Sequence, residues 1–159
     1  STMPIHLAGF RIPRYAPDGS LAAMVAGASA VLRDEMLFEI VRPRVKWMSG
    51  GADSADLMTF DAGSGNYDKL SGIATLTGGV TVAGSDGTGL GWLLTCDDLA
   101  IETRSGSFTI DGAVKMSREG FRLSGRGMTG RVDPLSRSLR LVSIKSGVRA
   151  ELDPRSVRQ

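Results

Sequence analysis

The chain has 159 residues, with 19 Lys and Arg against 17 Asp and Glu, one Cys, one His and 21 Gly, and it is 42% hydrophobic but only 6% aromatic. That length suits about one domain with a real core. A single cysteine excludes an internal disulfide, no apolar run approaches the roughly 20 residues of a membrane-crossing helix, and the start lacks a signal-peptide pattern.

The charge is unevenly placed. Residues 1–117 carry 9 basic and 13 acidic side chains, and residues 118–159 carry 10 basic and 4 acidic. The last quarter is therefore a cationic strip.

In chain order, Phe10 to Tyr15 reads as a strand, broken at Ala16-Pro17-Asp18-Gly19 and resumed through Leu21, Ala23 and Val25. Pro presets φ at one corner of such a turn and Gly accepts positive φ at another, so a hairpin is expected. Leu21 to Leu32 also allows a helix, but the flanking hairpin signals favour a strand. Leu37 to Trp47 follows, with Pro43 marking an edge or a bulge. A second unit runs from Ala55 to Phe60, turns near Gly63-Ser64-Gly65-Asn66 and returns from Ile73 to Val82. Gly84 to Gly89 reads as a long connection. A third unit holds Leu93 to Ile101, a turn near Arg104-Ser105-Gly106, and Phe108 to Met116. A fourth holds Phe121 to Val132, an Asp133-Pro134 turn, and Leu139 to Leu152. Residues 1–153 are expected to form one domain, and 154–159 a frayed tail.

These units repeat. Val80, Val114 and Val148 stand 34 residues apart, and Val45 precedes the first by 35. Each ends a run that alternates by twos, the period of a pleated strand. A fixed repeat of this length means stacked units, none of which buries its own apolar face. An all-β fold of repeated hairpins is expected, with a continuous apolar interior.

Two positions before each marked valine stands a small residue or proline: Pro43, Gly78, Gly112 and Ser146. Two readings stay open. The repeat either packs one sheet closely on another or leaves a trough for an apolar ligand, lined by Leu76, Val80, Phe108, Ile110, Val114, Val142 and Ile144, with Ile12 on the first strand.

Catalytic chemistry is poorly supplied. His6 lies near the start, the adjacent Asp97 and Asp98 point to opposite faces of a regular strand, and Cys96 has no base beside it. No metal site, cofactor or nucleotide is expected, because Gly84 to Gly89 lacks the lysine and following helix of a phosphate loop. The arginines of the cationic strip come without interleaved aromatics, which argues against nucleic acid and leaves an anionic partner or lipid.

The motifs Tyr15-Ala16-Pro17-Asp18-Gly19-Ser20-Leu21, the segment around Pro43-Arg44-Val45, Leu94-Thr95-Cys96-Asp97, Asp111-Gly112-Ala113-Val114 and Gly120 to Gly125 come in a particular order. In that order and spacing the chain resembles the LptC-like periplasmic components of the lipopolysaccharide export bridge, within the OstA-like superfamily, from about Leu7 to Leu152. The resemblance implies a half-open antiparallel β-jellyroll enclosing an apolar groove, and a non-catalytic role. Such proteins accept lipopolysaccharide from an inner-membrane ABC transporter complex and pass it to the next OstA-like bridge protein through edge strands. It implies groove-facing positions at Phe10, Ile40, Val132 and Val142, and constrained backbone at Gly19 and Gly112. It also implies a periplasmic location, with an N-terminal anchor in the inner membrane that this chain lacks. A single molecule and a homodimer both remain open. The competing readings are a self-assembling β-solenoid without ligand and a polysaccharide-acting β-helix enzyme, the latter disfavoured because no acidic pair shares a strand face.

Overall fold

A computed structural model describes residues 3–15, 19–48, 56–85, 91–132 and 139–152. Among them are eleven strands and no helix. These are β1 (Ile5–Tyr15), β2 (Leu21–Arg33), β3 (Leu37–Val41), β4 (Arg44–Met48), β5 (Asp56–Asp68) and β6 (Ile73–Ser85), then β7 (Gly91–Cys96), β8 (Leu99–Glu102), β9 (Ser107–Arg118), β10 (Phe121–Val132) and β11 (Leu139–Leu152). The Leu21 to Leu32 stretch is strand rather than helix. Every pairing is antiparallel, and the sheet follows the chain from β1 to β11. The short strands β3 and β4 share the lane between β2 and β5, and β7 and β8 share the lane between β6 and β9.

Those split lanes reveal a crease. The break at Arg42-Pro43 lies between the pairs Ser29↔Val41 and Ala26↔Arg44, opposite Gly27 and Ala28. On the next strand it faces Ala62 and Gly63, and beyond that Gly78 and Gly79, whose extra residue shifts the register. The Asp97-Asp98 break continues the line, followed by Gly112 and then Gly127, where the β9–β10 register shifts again. Gly78 and Gly79 have φ of 75° and 86°, a backbone region in which side chains are strained, so glycine is what lets β6 bulge here. The 34-residue repeat is the spacing of this crease on alternate lanes: Pro43, Gly78, Gly112 and Ser146.

A crease across every lane lets the sheet fold over on itself. Phe60 lies on β5 on one side of it, paired with Val45 and Val82, and Phe108 lies on β9 on the other side, paired with Ile101 and Gly130. Three lanes at about 4.8 Å each would hold them roughly 14 Å apart in a flat sheet. Their ring centroids are 5.8 Å apart, edge to face. Trp47 packs edge-on against Phe60 at 5.3 Å, and Phe10, Phe38 and Tyr67 form a second aromatic row. Full burial of each such ring contributes about 1.5–3 kcal/mol.

The inner face alternates by twos on both sides of the crease: Ala74 and Leu76 before it and Val80 and Val82 after it are buried, while Gly78 is exposed. Of the two readings left open for the small residues, this removes the trough. Gly78, Gly112 and Ser146 lie on β6, β9 and β11, which are not neighbours, and they mark the bend rather than line an interior wall. Val80 and Val114 are buried, but Val148 on the last strand is 58% exposed.

One further boundary differs from expectation. No turn occurs at Gly63 to Asn66, because β5 runs on to Asp68 and the turn comes at 69–72. Gly65 is there for close approach, since a Cβ would meet the Thr75 carbonyl oxygen at 2.7 Å and Pro43 Cγ at 3.0 Å. The Pro17-Asp18 corner, the Asp133-Pro134 turn, most of the Gly84 to Gly89 connection and the 154–159 tail lie outside the described residues.

At the tips on the β3 and β8 side the turns are stitched together, again one repeat apart. The Lys69 N–H donates to the Met36 carbonyl at 2.8 Å. The buried Thr103 donates its Oγ1 hydrogen to the Gly72 carbonyl at 2.7 Å, and Arg104 Nη2 donates to the Leu70 carbonyl at 2.6 Å.

Gly112, expected to be tightly constrained, is not: a Cβ there would touch nothing within 4 Å, and its φ is ordinary. The glycines that matter sterically sit across from rings. Gly130 faces Phe108, Gly84 faces Trp92, and Gly27 faces Phe10, with a Cβ meeting ring atoms at 2.3, 2.5 and 2.7 Å respectively. Gly130→Ala is therefore expected to lower unfolding free energy by about 1–3 kcal/mol, whereas Gly112→Ala shifts it by less than about 0.5 kcal/mol in either direction. Urea midpoints read both, and equal losses would refute the assignment.

Cys96 pairs with Val80 on one side and Val114 on the other, inside the core. Its thiol is pushed up to about 11 by burial first, and then by the Asp97 and Asp98 carboxylates. Thiolate is thus a minor form at every pH below that value, about one part in a thousand at pH 8. In the folded protein Cys96 is expected to resist Ellman's reagent at pH 8 and to react fully once guanidinium unfolds the chain. Rapid reaction in the native state would contradict this packing.

Candidate functional site: an apolar interior open at both ends

The inner face of the folded sheet is a continuous apolar surface crossing every lane. Its middle is closed by the protein's own side chains. Of the positions expected to contact lipid, Ile40, Leu76, Val80, Phe108, Ile110 and Val114 are all buried in that core, none more than 4% exposed. Phe10, Ile12 and Ile144 are partly buried and pack against it from the two ends. Val132 and Val142 fall among the side chains outside the described residues. The structure thus brings nine of these residues onto one surface, six filling the centre and three at its mouths.

The mouths differ. At the first, Ile5, Leu7, Phe10 and Ile12 lie in register with the inner positions Leu32, Ala30, Gly27 and Val25. At the other, β10 and β11 continue the inner face past its cover. Leu123 pairs with Met116 and Ala150, and Phe121 pairs with Arg118 and Leu152. Leu152 is 64% exposed. Apolar side chains on an inner face yet open to solvent are the informative exception in a soluble fold. Leu7, Met116, Phe121, Leu123, Ala150 and Leu152 were not singled out in sequence. Period two alone places them on the face without showing that the opposing layer stops short of them.

The edges flank the mouths. Among the described residues β1 and β11 each pair on one side only. Edge strands are commonly protected by Pro, bulges or charge. β1 carries Pro13, a positive-φ Gly9 and the cations Arg11 and Arg14, while β11 carries Lys145 and Arg149 and a positive-φ Gly147. Gly19, expected to be constrained, has a φ of 87° at the β1–β2 turn, which supplies a steric reason for glycine there.

Little chemistry beyond binding is offered. Among the described residues no three His, Cys, Asp or Glu side chains could hold a metal, and His6 is exposed on the first strand. Asp97 and Asp98 are exposed at the crease, where the Asp97 carbonyl accepts from the Gly79 N–H at 3.2 Å. Among the described residues one polar atom stands out inside: the Tyr67 hydroxyl is buried with no hydrogen-bond partner there. No helix among the described residues is long and apolar enough to cross a membrane.

The fold has a counterpart of known structure. It is similar to the crystal structure of LptH, the LptA-homologous periplasmic component of the conserved lipopolysaccharide transport device from Pseudomonas aeruginosa, with a TM-score of 0.58 at 12% identity, over 83% of this chain and 95% of that one. At that identity the likeness establishes the β-jellyroll fold. No curated protein matches the chain in sequence. The profile of the family described as "Lipopolysaccharide-assembly, LptC-related" matches residues 1–153. The chain therefore belongs to the LptC-related family of lipopolysaccharide-assembly proteins, non-catalytic periplasmic components of the lipopolysaccharide transport bridge.

Proposed function

We propose that this protein accepts lipopolysaccharide from an inner-membrane ABC transporter complex and hands it to the next OstA-like bridge protein, with the acyl chains carried between the two layers of its folded sheet. The observation that carries this reading is the apolar inner face, exposed at both ends and closed in the middle. Each acyl CH₂ moved from water into such a surface gains about 0.8 kcal/mol. A chain entering at one mouth must part the Phe60 and Phe108 contact to reach the other. The crease, where strand pairing is already broken, is the hinge for that opening. The partner-free sides of β1 and β11 supply strand addition to neighbours, and the Tyr67 hydroxyl supplies a donor for an ester or hydroxyl oxygen of the cargo. An N-terminal anchor would hold the protein at the inner membrane and set which mouth receives.

The second reading, a ligand-free solenoid that assembles end to end, draws support from the packed middle. Against it stand the cations on both edges, Arg11 and Arg14 on β1 and Lys145 and Arg149 on β11, which would meet like charge to like charge in a stack.

A photoreactive residue in place of Ile12, Leu123 or Ile144 is expected to label lipopolysaccharide, while the same residue in place of the exposed Thr75 or Thr109 is not. Leu123→Asp should reduce lipid capture about tenfold or more, because occupancy would bury an unpaired carboxylate. Labelling at Thr75 equal to that at Ile12, or open-ended assembly beyond a dimer in sedimentation, would defeat the bridge reading.

A further inference from the structure

A groove of about 430 Å³ lies on the outer face of β7, β9, β10 and β11. Two complete cross-strand rows form its floor. One row is Thr95, Lys115, Ser124 and Arg149, and the next is Leu93, Ser117, Arg122 and Glu151. Lys115 and Arg149 flank Ser124 two lanes apart, at about 10 Å between backbones, and Arg122 stands two residues along β10 on the same face. Three cations against one carboxylate leave a net charge of +2. The ion pairs Arg33–Glu39 and Arg44–Asp61 lie elsewhere, and among the described residues none involves Lys115, Arg122 or Arg149. Like charges gathered over a concave floor of hydroxyls repel one another until an anion sits between them.

The groove is not isolated from the interior. A second hollow of about 440 Å³ wraps the β9–β10 turn and shares Ser117, Arg122 and Glu151 with the first. Its lining includes Phe121 and Leu152, which belong to the inner face at the open mouth. One surface thus runs from apolar side chains inside, over the tip at Arg122, to cations outside.

We propose that this outer groove is a subsite for a phosphate group, and that its phosphate is carried by the headgroup of a lipid whose acyl chains occupy the β10–β11 mouth. The inference rests on the lipid-carrying reading above and adds the site that reads the headgroup. Lys115, Arg122 and Arg149 contribute charge and N–H donors, and Ser124 and Thr95 contribute hydroxyl donors. Phosphate between paired cations is recognised by charge-assisted hydrogen bonds, and that contribution weakens with salt.

The test compares lipopolysaccharide with the same material treated with alkaline phosphatase, alongside inorganic phosphate, by calorimetric titration of the whole chain. Wild-type protein is expected to bind the phosphorylated form about tenfold more tightly than the dephosphorylated form, a margin of roughly 1.4 kcal/mol. In the Lys115→Gln, Arg122→Gln and Arg149→Gln triple variant both forms should bind alike, at the dephosphorylated level. All three residues are exposed, so unfolding is not expected, and an unchanged thermal midpoint verifies it. Wild-type protein that binds both forms equally, or a triple variant that still discriminates, overturns the proposal. Phosphate that binds wild type but not the triple variant, while both lipid forms bind alike, assigns the groove to free phosphate and removes the lipid headgroup as its source. Failure of both lipid forms to bind defeats the carrier reading itself, while the phosphate titration still reports on the groove.

Discussion

The constraint on which the molecule depends is a bend shared by every long strand at the same level of the sheet. A pleated strand cannot turn sharply while its backbone groups stay paired, so each lane yields in its own way. β6 bulges through Gly78 and Gly79, while β3 gives way to β4 and β7 to β8. Arg42 at the first of those breaks adopts a φ of 52° and donates its N–H to the Gly63 carbonyl at 3.0 Å. Because these local solutions are in register, they add up to one crease, and one sheet becomes two facing layers. Phe60 meets Phe108 only because of it.

Function follows from how completely the layers close. In the middle lanes rings and branched side chains interdigitate, which gives most of the stability. Towards β1 and β10–β11 the cover thins, and apolar residues of the same face reach solvent. On the proposed carrier reading, a fatty cargo held briefly and then released calls for this arrangement. Too open an interior would lose its core, and too tight a one would admit nothing. The stitched turns at Met36, Lys69 and Thr103 hold one set of tips together, and the β9–β10 turn lies on the opposite side. That side carries Arg118 and Arg122 at the β9–β10 turn, beside the open mouth.

Much of this was legible in the chain. Alternation by twos identified the strands, and the 34-residue spacing identified the repeat. The meaning of the repeat was not legible, because Pro43, Gly78 and Gly112 look equally suited to lining a trough and to making a bend. The two differ in φ and in neighbours, which only coordinates supply. Glycines across from rings, such as Gly130 opposite Phe108, were missed because their role depends on a cross-strand partner 22 residues away. Their sequence signal is an aromatic and a glycine in register on adjacent strands, and it becomes readable only when the hairpin register is known. Gly65, which read as a turn, is strand for the same reason.

By itself the sequence determined that the chain is all-β, that its units repeat, and that one face of every strand is apolar, since these follow from local preferences and side-chain parity. It also determined that catalysis is ill supplied, because the residue inventory is too poor. Tertiary structure alone decided which apolar residues fill the core and which stand at a mouth. It also decided which cations share a groove and where the sheet folds. Those properties belong to pairs of residues far apart in the chain, and their distances are set by register and by the crease rather than by any residue's own chemistry.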